Sequence, residues 1–467
     1  MLMSLFRRMF CRPSPPEKSS ARASDLVQNP EESDAPPPLQ QKQPHAGTSS
    51  IEDIGDSVIC REAILNRQQK IIGYQFQLQR AANARVRVHN RRIFHLYAEI
   101  LVRNLAHTKI FPLLGQRAIF IEIPDSFLSD PCLMQLPASN TFFILKPVKD
   151  ENSPSHEDLL GWIRALRKIG YRIGIPDPIE TPEYFHLLPE IDLVSIQSSQ
   201  LGVDKGERFV NYILKKAPRV SILVQGLLSI EDFNFCHGIG ATLFQGHFIV
   251  SREQWEKADL DPSIAHLAIL LKKLQLDADT HEIVSILKQD AAITLRLLRY
   301  INSPVNGQRE HVSSIEHAIN LLGRAPLRRW LTLLLCGSNR NHPRTAAVLE
   351  TALIRARFME LVSSSRAAHE REAVFLTGLL SLIDIVLQQP IEHALDALSI
   401  DDIIRDAIIH SQGIYAATLM LARTCESMDT SRIASAAEIC HINPEQVSAC
   451  YMDALSWALA LQQENPD

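Results

Sequence analysis

Residues 141–175 carry the alternation that decides the fold of the first half of the chain. The segment opens on TFFILKPV (141–148), a short apolar run. It continues through HEDLLGWIRALRKI (156–169), where Leu159, Leu160, Trp162, Ile163, Leu166 and Ile169 recur at helical spacing. It returns to RIGI (172–175), a second short apolar run. Apolar residues three and four apart line one face of a helix, whereas brief β-branched runs suit buried strands. Strand, amphipathic helix and strand in succession predict a right-handed crossover and a parallel sheet.

The same rhythm extends outward from this segment. Strand-like runs occupy Ser57–Ile64, Lys70–Leu78, Ala118–Ile123, Leu193–Ile196, Val220–Val224 and Thr242–Val250, with amphipathic stretches at Arg91–Leu105 and Asp204–Lys216. Eight strands in roughly 200 residues suit a closed β/α barrel better than an open sheet. Only Asn66-Arg67-Gln68-Gln69 separates the first two strands, which predicts an antiparallel hairpin. A regular eightfold barrel does not start that way.

After residue 253 the strand signal ends and helical period takes over. Helices are expected at Thr280–Leu287, from Asp290 as a cap, from a capping box at Ser313-Ser314-Ile315-Glu316 to Gly323, and over Pro326–Leu335, Arg344–Val362, Glu370–Leu387, Ser399–His410, Gly413–Cys425 and Pro444–Gln462. The runs Leu331–Leu335 and Phe375–Ile383 are apolar nearly all round and predict central helices of a bundle. Residues 1–52 are rich in Pro, Ser and Gln and read as a disordered tail. The expected division is therefore a tail over 1–52, a barrel over 53–252 and an all-α domain over 253–467.

Bulk composition limits the function classes. The chain has 467 residues, 46% hydrophobic and 22% charged, with a net charge of −5, which is a soluble globular balance with no global pull toward nucleic acid. The basic string Arg324, Arg328 and Arg329, with Arg299, reads as a solvated helix face. The eight cysteines are scattered without a metal-binding spacing, which predicts free thiols and a cytoplasmic location. Cys236–His237 and Cys440–His441 read as packing residues rather than chelates. The apolar start Met1–Phe10 is too short to span a bilayer and reads as a floppy end, with a weak surface anchor as the alternative. No transmembrane segment is expected.

Four landmarks in order resemble the EAL domains of bacterial cyclic di-GMP signalling. They are Ala63–Tyr74, Leu166–Ile175, Asp192–Ile196 and Phe244–Phe248, which are similar to the family's opening "QPIL-N-R" segment, its "DDFG" approach, its "D-x-V-K-I-D" strand and its closing "QGY-F". The second half resembles HDOD domains at Ile286–Ser303 and Ser314–Gly323. The resemblance implies an EAL-type modified TIM-like barrel followed by an HDOD helical bundle, akin in fold to HD phosphohydrolases.

Active EAL domains hydrolyse cyclic di-GMP with two divalent metals, which need clustered anionic oxygens at the strand ends. The resemblance puts Gln75 where the signature glutamate belongs and Gln79, beside Arg80, where an arginine meets substrate. It puts Glu122 at the asparagine position, Lys146 at the next glutamate, and Pro176-Asp177 at the aspartate pair. Ser195 and Gln197 replace the lysine and aspartate of the fourth motif. Gln225 and Leu228 replace two further glutamates, and Gln245 alone matches. The expectation is a degenerate barrel that is not an enzyme, with no catalytic, metal or cofactor residues. Gln75, Glu122, Lys146 and Asp177 would instead form a satisfied polar cluster, with Lys146 paired to Glu122 or Asp177.

The second half has no His-Asp dipeptide, and its histidines are dispersed. The function expected is a non-catalytic signalling adaptor that meets unidentified protein partners and no nucleic acid. The alternative is a cyclic di-GMP receptor or weak phosphodiesterase working at the barrel mouth.

Overall fold

The alternation read from residues 141–175 is realised as strand, helix and strand in the computed structural model. The structure describes residues 57–80, 91–108, 110–148, 150–151, 153–256, 261–302, 312, 314–337, 343–398, 400–427 and 430–463. The expected tail over 1–52 lies outside the described residues.

Eight strands close into a barrel: β1 (Ser57–Asn66), β2 (Ile71–Arg80), β3 (Ala118–Pro124), β4 (Thr141–Lys146), β5 (Arg172–Pro176), β6 (Leu193–Gln197), β7 (Ser221–Gln225) and β8 (Leu243–Gln245). Each strand pairs with the next, and β8 returns to β1. β1 runs antiparallel to both neighbours, while β2 to β8 are parallel throughout. The expected hairpin is thus present. Asn66 closes its turn, Oδ1 accepting from the backbone N–H of Gln68 and of Lys70 at 3.0 Å each.

Crossover helices α1 (Arg91–His107), α2 (His156–Ile169), α3 (Val203–Lys216) and α4 (Ile230–Gly238) lie outside the strands. α2 shows why these segments are helical. Ser155 caps it by accepting from the Asp158 N–H, Glu157 and Asp158 sit in its first turn, and Gly170 ends it at φ 117°. Its buried residues, Leu159, Ile163 and Leu166, fall at helical spacing. Inside the barrel, Ile64, Phe120, Phe142, Ile144, Leu193 and Leu223 fill the axis, with the Phe120 and Phe142 rings stacked at 4.4 Å.

The strand expected over Thr242–Val250 stops at Gln245, and His247–Val250 form a 3-10 turn. Gly246 causes the break. It sits at φ 146° against the backbone of Leu227, where a Cβ would lie 2.3 Å from the Leu227 carbonyl oxygen.

From residue 262 the described elements are helical: α5 (Pro262–Gln275), α6 (Thr280–Leu287), α7 (Ala291–Ile301), α8 (Ile315–Leu322), α9 (Arg324–Cys336), α10 (Thr345–Val362), α11 (Ala368–Leu380), α12 (Ile383–Leu387), α13 (Ile391–Ala397), α14 (Asp402–Ile409), α15 (Ala416–Glu426), α16 (Thr430–Ile439) and α17 (Pro444–Gln463). Asp290 caps α7 as expected, accepting from the Ile293 N–H. The capping box before α8 is corrected. Ser314 is the cap and accepts from the His317 N–H, while Glu316 bonds Lys288 at 2.8 Å instead of reaching back.

The single helix expected over Glu370–Leu387 breaks at Ser381-Leu382. There the Ser381 hydroxyl turns to the Gly378 carbonyl and accepts from Arg355. α9 and α11 are buried as expected of central helices. Gly378 lets α11 cross α10 closely, since a Cβ there would lie 2.6 Å from the Ala356 Cα.

The reversed β1 leaves one side of the barrel without its own helix. In a β/α barrel each strand's outer face is covered by the crossover that follows it. β1 and β2 are joined by a tight turn, so the outer face of β1 needs another cover. α15 and α17 supply it by packing on β1. The Ser448 hydroxyl of α17 accepts from the Ile59 N–H at 3.1 Å.

Beneath them lies a buried polar cluster. The Tyr74 hydroxyl donates to Glu350 of α10, and Arg117 donates both to that hydroxyl and, at 2.8 Å, to the second Glu350 oxygen. Glu350 is 1% exposed, so its charge depends on these partners.

Glu350→Ala should lower the unfolding free energy by about 3–5 kcal/mol, because it removes the buried carboxylate that Arg117 and the Tyr74 hydroxyl share at the seam. Urea denaturation of the full chain checks this. A loss under about 1 kcal/mol would show that the cluster is not a structural tie.

Candidate functional site at the barrel mouth

The strand ends that carry catalysis in β/α barrels gather a continuous chain of amides here. Gln225 at the end of β7 stands at its middle. Its Nε2 donates to Gln75 Oε1 at 2.7 Å and to Gln245 Oε1 at 3.1 Å. Its Oε1 accepts from the Ser195 hydroxyl at 2.6 Å and from Gln197 Nε2 at 3.1 Å. Gln75 passes the pattern on to Glu122 Oε1 at 3.0 Å, and Gln245 passes it to Glu62 Oε2 at 2.7 Å. Along the Gln75 and Gln245 arms donors therefore point outward from Gln225, and both of these arms end on a carboxylate, which only accepts when ionised.

Gln75, Gln225, Gln245 and Ser195 are all buried. Burying this many polar groups is tolerable because each has its partner. The polar cluster expected around Gln75 and Glu122 is present, and it is wider than expected.

Two expectations about the cluster are corrected. Lys146 forms no pair with Glu122 or Asp177. It stands exposed at the end of β4, and its ammonium lies 4.9 Å from the centre of the Phe94 ring. β3 and β4 are neighbours, but Glu122 is already held by Gln75. Asp177 is turned away into a local bend, its Oδ1 accepting from the Ile179 N–H at 2.8 Å. Burial pushes the Asp177 carboxyl above its ordinary range. Leu228 is exposed beyond the mouth, and the side chains of Gln79 and Arg80 lie outside the described residues.

Glu62 is the mouth residue that sequence reasoning missed. It stands opposite Gln75 in the β1–β2 register, and its burial pushes its carboxyl up to about 7, against the opposing pull of Gln245 and Arg61. The signal was available: Glu62 is two residues from Ile64 on a strand, so both share the inner face.

The basic string in the second half is also corrected. Arg329 is buried rather than solvated. It bonds Glu360 at 3.1 Å and Glu372 at 2.9 Å, and its guanidinium lies 3.4 Å from the centre of the Phe375 ring. Cys236 is buried, and its neighbour His237 contacts Arg67.

The mouth does not fit the two-metal centre of the resemblance. Among the described residues no three His, Cys, Asp or Glu side chains converge to hold an ion. The glutamine oxygens are neutral and already accept from neighbouring amides, so they offer little to hard divalent cations.

The comparisons with known proteins bear on both halves. Residues 262–399 match the model of the HDOD domain. The chain is 24% identical over 398 residues to the cyclic di-GMP phosphodiesterase CdgJ of Vibrio cholerae, covering 84% of this chain and 89% of the relative. It is 22% identical to the uncharacterized protein YuxH of Bacillus subtilis, covering 85% of this chain and 97% of the relative. Among solved structures, an EAL domain protein of Listeria monocytogenes is 16% identical with a TM-score of 0.34, covering 44% of this chain and 93% of that one.

The expectation that the chain is not an enzyme is overturned by the relative named a phosphodiesterase, which spans most of both chains. The physical reason is that the missing ligands were counted only at the family's positions. Glu62 keeps a carboxyl at the mouth, bonded by Gln245, and lies outside those positions. No helix of the described residues is long and apolar enough to cross a membrane.

Glu62 gives the mouth a pH signature. The folded chain keeps a proton that the unfolded chain releases between about pH 4.5 and pH 7. Its contribution to stability is therefore full below that window and is lost as pH rises through it. Glu62→Gln keeps the acceptor for Gln245 and removes the charge. It should raise the melting temperature more at pH 8 than at pH 5. An equal change at both would place the titration elsewhere.

The expected order of a closed barrel and then a helical bundle is thus present, and the chain carries an HDOD domain over residues 262–399 behind that barrel.

Proposed function

We propose that this chain works in cyclic di-GMP signalling and receives the dinucleotide at the mouth of its barrel. The observation that carries the proposal is the match to a cyclic di-GMP phosphodiesterase across both halves, 84% of this chain. The rim supports it with an exposed cation, Lys146, at the end of β4, suited to a phosphate group. Solved EAL domains include one of Xanthomonas citri FimX in complex with cyclic di-GMP.

The HDOD half is assigned the output of the signal, toward protein partners. A cytoplasmic setting belongs to the same reading. Its support is that Cys60, Cys132, Cys236, Cys336, Cys425, Cys440 and Cys450 are all free.

The test is titration calorimetry of the full chain with cyclic di-GMP, together with a chromatographic assay for its linear product, each with and without Mg²⁺ or Mn²⁺. Saturable binding weakened about tenfold by Lys146→Ala is the expected result. Turnover requires binding and would support the proposal equally. The absence of both heat and product at millimolar ligand would overturn it.

A further inference from the structure

A second site borders the barrel mouth at Glu62 and runs along the seam between the barrel and the helices. It is a cavity of about 1110 Å³. Sites for small molecules span roughly 300–1,000 Å³, so this one has room for a ligand of nucleotide size. Five arginines line it, Arg61, Arg252, Arg355, Arg423 and Arg432, against two carboxylates, Glu62 and Glu426. β1 and the segment after β8 contribute Arg61 and Arg252. α10, α15 and α16 contribute the other three.

Two of these arginines are fully engaged. Arg355 bonds both Glu426 oxygens, at 2.9 and 2.5 Å, and the Ser381 hydroxyl at 2.6 Å. Arg252 is held by Asp384, which is 1% exposed. Glu426 and Asp384 are thereby occupied.

Arg61 and Arg423 have no such partner. Arg61 is 5% exposed, with its guanidinium over the Tyr74 ring at 4.8 Å and its Nε without an acceptor. The Arg423 guanidinium makes no hydrogen bond or ion pair among the described residues. Burial and the nearby Arg355 and Arg252 push it down to about 10. Arg61 is favoured by the Glu350 and Glu426 charges, so the shortage of counter-charge falls on Arg423, where its cost drops when an anion supplies what is missing.

We propose that this seam cavity binds a phosphate-bearing ligand of nucleotide size, with Arg61 and Arg423 as its phosphate contacts. The planar fork of arginine matches phosphate oxygens in pairs, which a lysine ammonium does not. A ligand held by Arg61 from the barrel and Arg423 from the helices would tie the two halves together. The cavity and the mouth share Glu62, but the phosphate contacts Arg61 and Arg423 are distinct from Lys146, so Lys146→Ala separates this proposal from the function proposed above.

The experiment uses the full chain and inorganic pyrophosphate, with sodium chloride at matched ionic strength as control. Pyrophosphate should raise the melting temperature saturably, and Arg423→Gln should weaken that effect about tenfold or more. Lys146→Ala, at the mouth, should leave it intact. Without ligand, Arg423→Gln should melt at or above the parent temperature, because it removes an unopposed positive charge. Stabilisation no greater than that by chloride would overturn the proposal. So would an effect that survives Arg423→Gln but is lost in Lys146→Ala, which would place the anion at the mouth. A sharply lower melting temperature for ligand-free Arg423→Gln would make that arginine a structural partner and overturn its assignment.

Discussion

The structure turns on the exposed outer face of one hairpin. Reversing β1 closes the barrel through antiparallel pairs on both of its sides, and it removes the crossover helix that would have covered β1. Apolar strand surface left bare is a liability for solubility and stability. α15 and α17 remove it, and the Tyr74–Arg117–Glu350 cluster fixes the docking by satisfying one buried carboxylate from two directions. Arg344 adds a second tie, donating to the Phe248 carbonyl at 3.0 Å from a 2% exposed position. The helical half is thus part of the wall of the barrel, and a seam with its own cavity follows from that arrangement.

The mouth shows how a charged floor can be rebuilt as a neutral one. Two divalent ions would need several carboxylates turned inward with free oxygens. Here glutamines at 75, 225 and 245 take each other's hydrogen bonds, and the carboxylates that remain sit at the ends of the chain of amides, where only acceptors fit. The arrangement is polar, buried and satisfied at the residues that form it. It accounts for Glu62 holding its proton to about pH 7: the desolvated carboxyl is offset only in part by one amide and the Arg61 charge.

Much of the fold was legible because each periodic signal had a single physical reading. The alternation at 141–175 could bury both strands and helix only as a crossover, and the short Asn66–Gln69 link could only be a hairpin. The misreadings fall where tertiary partners outvote local pattern. Phe375–Ile383 is apolar nearly all round and lies within one expected helix, yet Arg355 captures the Ser381 hydroxyl and α11 ends there. Thr242–Val250 reads as one strand, yet the Leu227 backbone needs the space at Gly246. Arg329 looks like a surface charge in a basic string until Glu360 and Glu372, 31 and 43 residues away, are folded against it. At the mouth, Gln75, Gln225 and Gln245 were visible one by one, while their linkage depends on side-chain direction that no motif encodes. The seam cavity was not legible at all, because its arginines come from parts of the chain far apart in sequence.

The central claim is that barrel and helical half form one cooperative body joined at the hairpin. Native-state hydrogen exchange of the full chain across a urea series tests it most directly. Amides of β1 and β2 should open with the same free energy and the same denaturant dependence as those of α10 and α17. Loss of protection in α10 and α17 at low urea, with the hairpin still protected, would contradict the account.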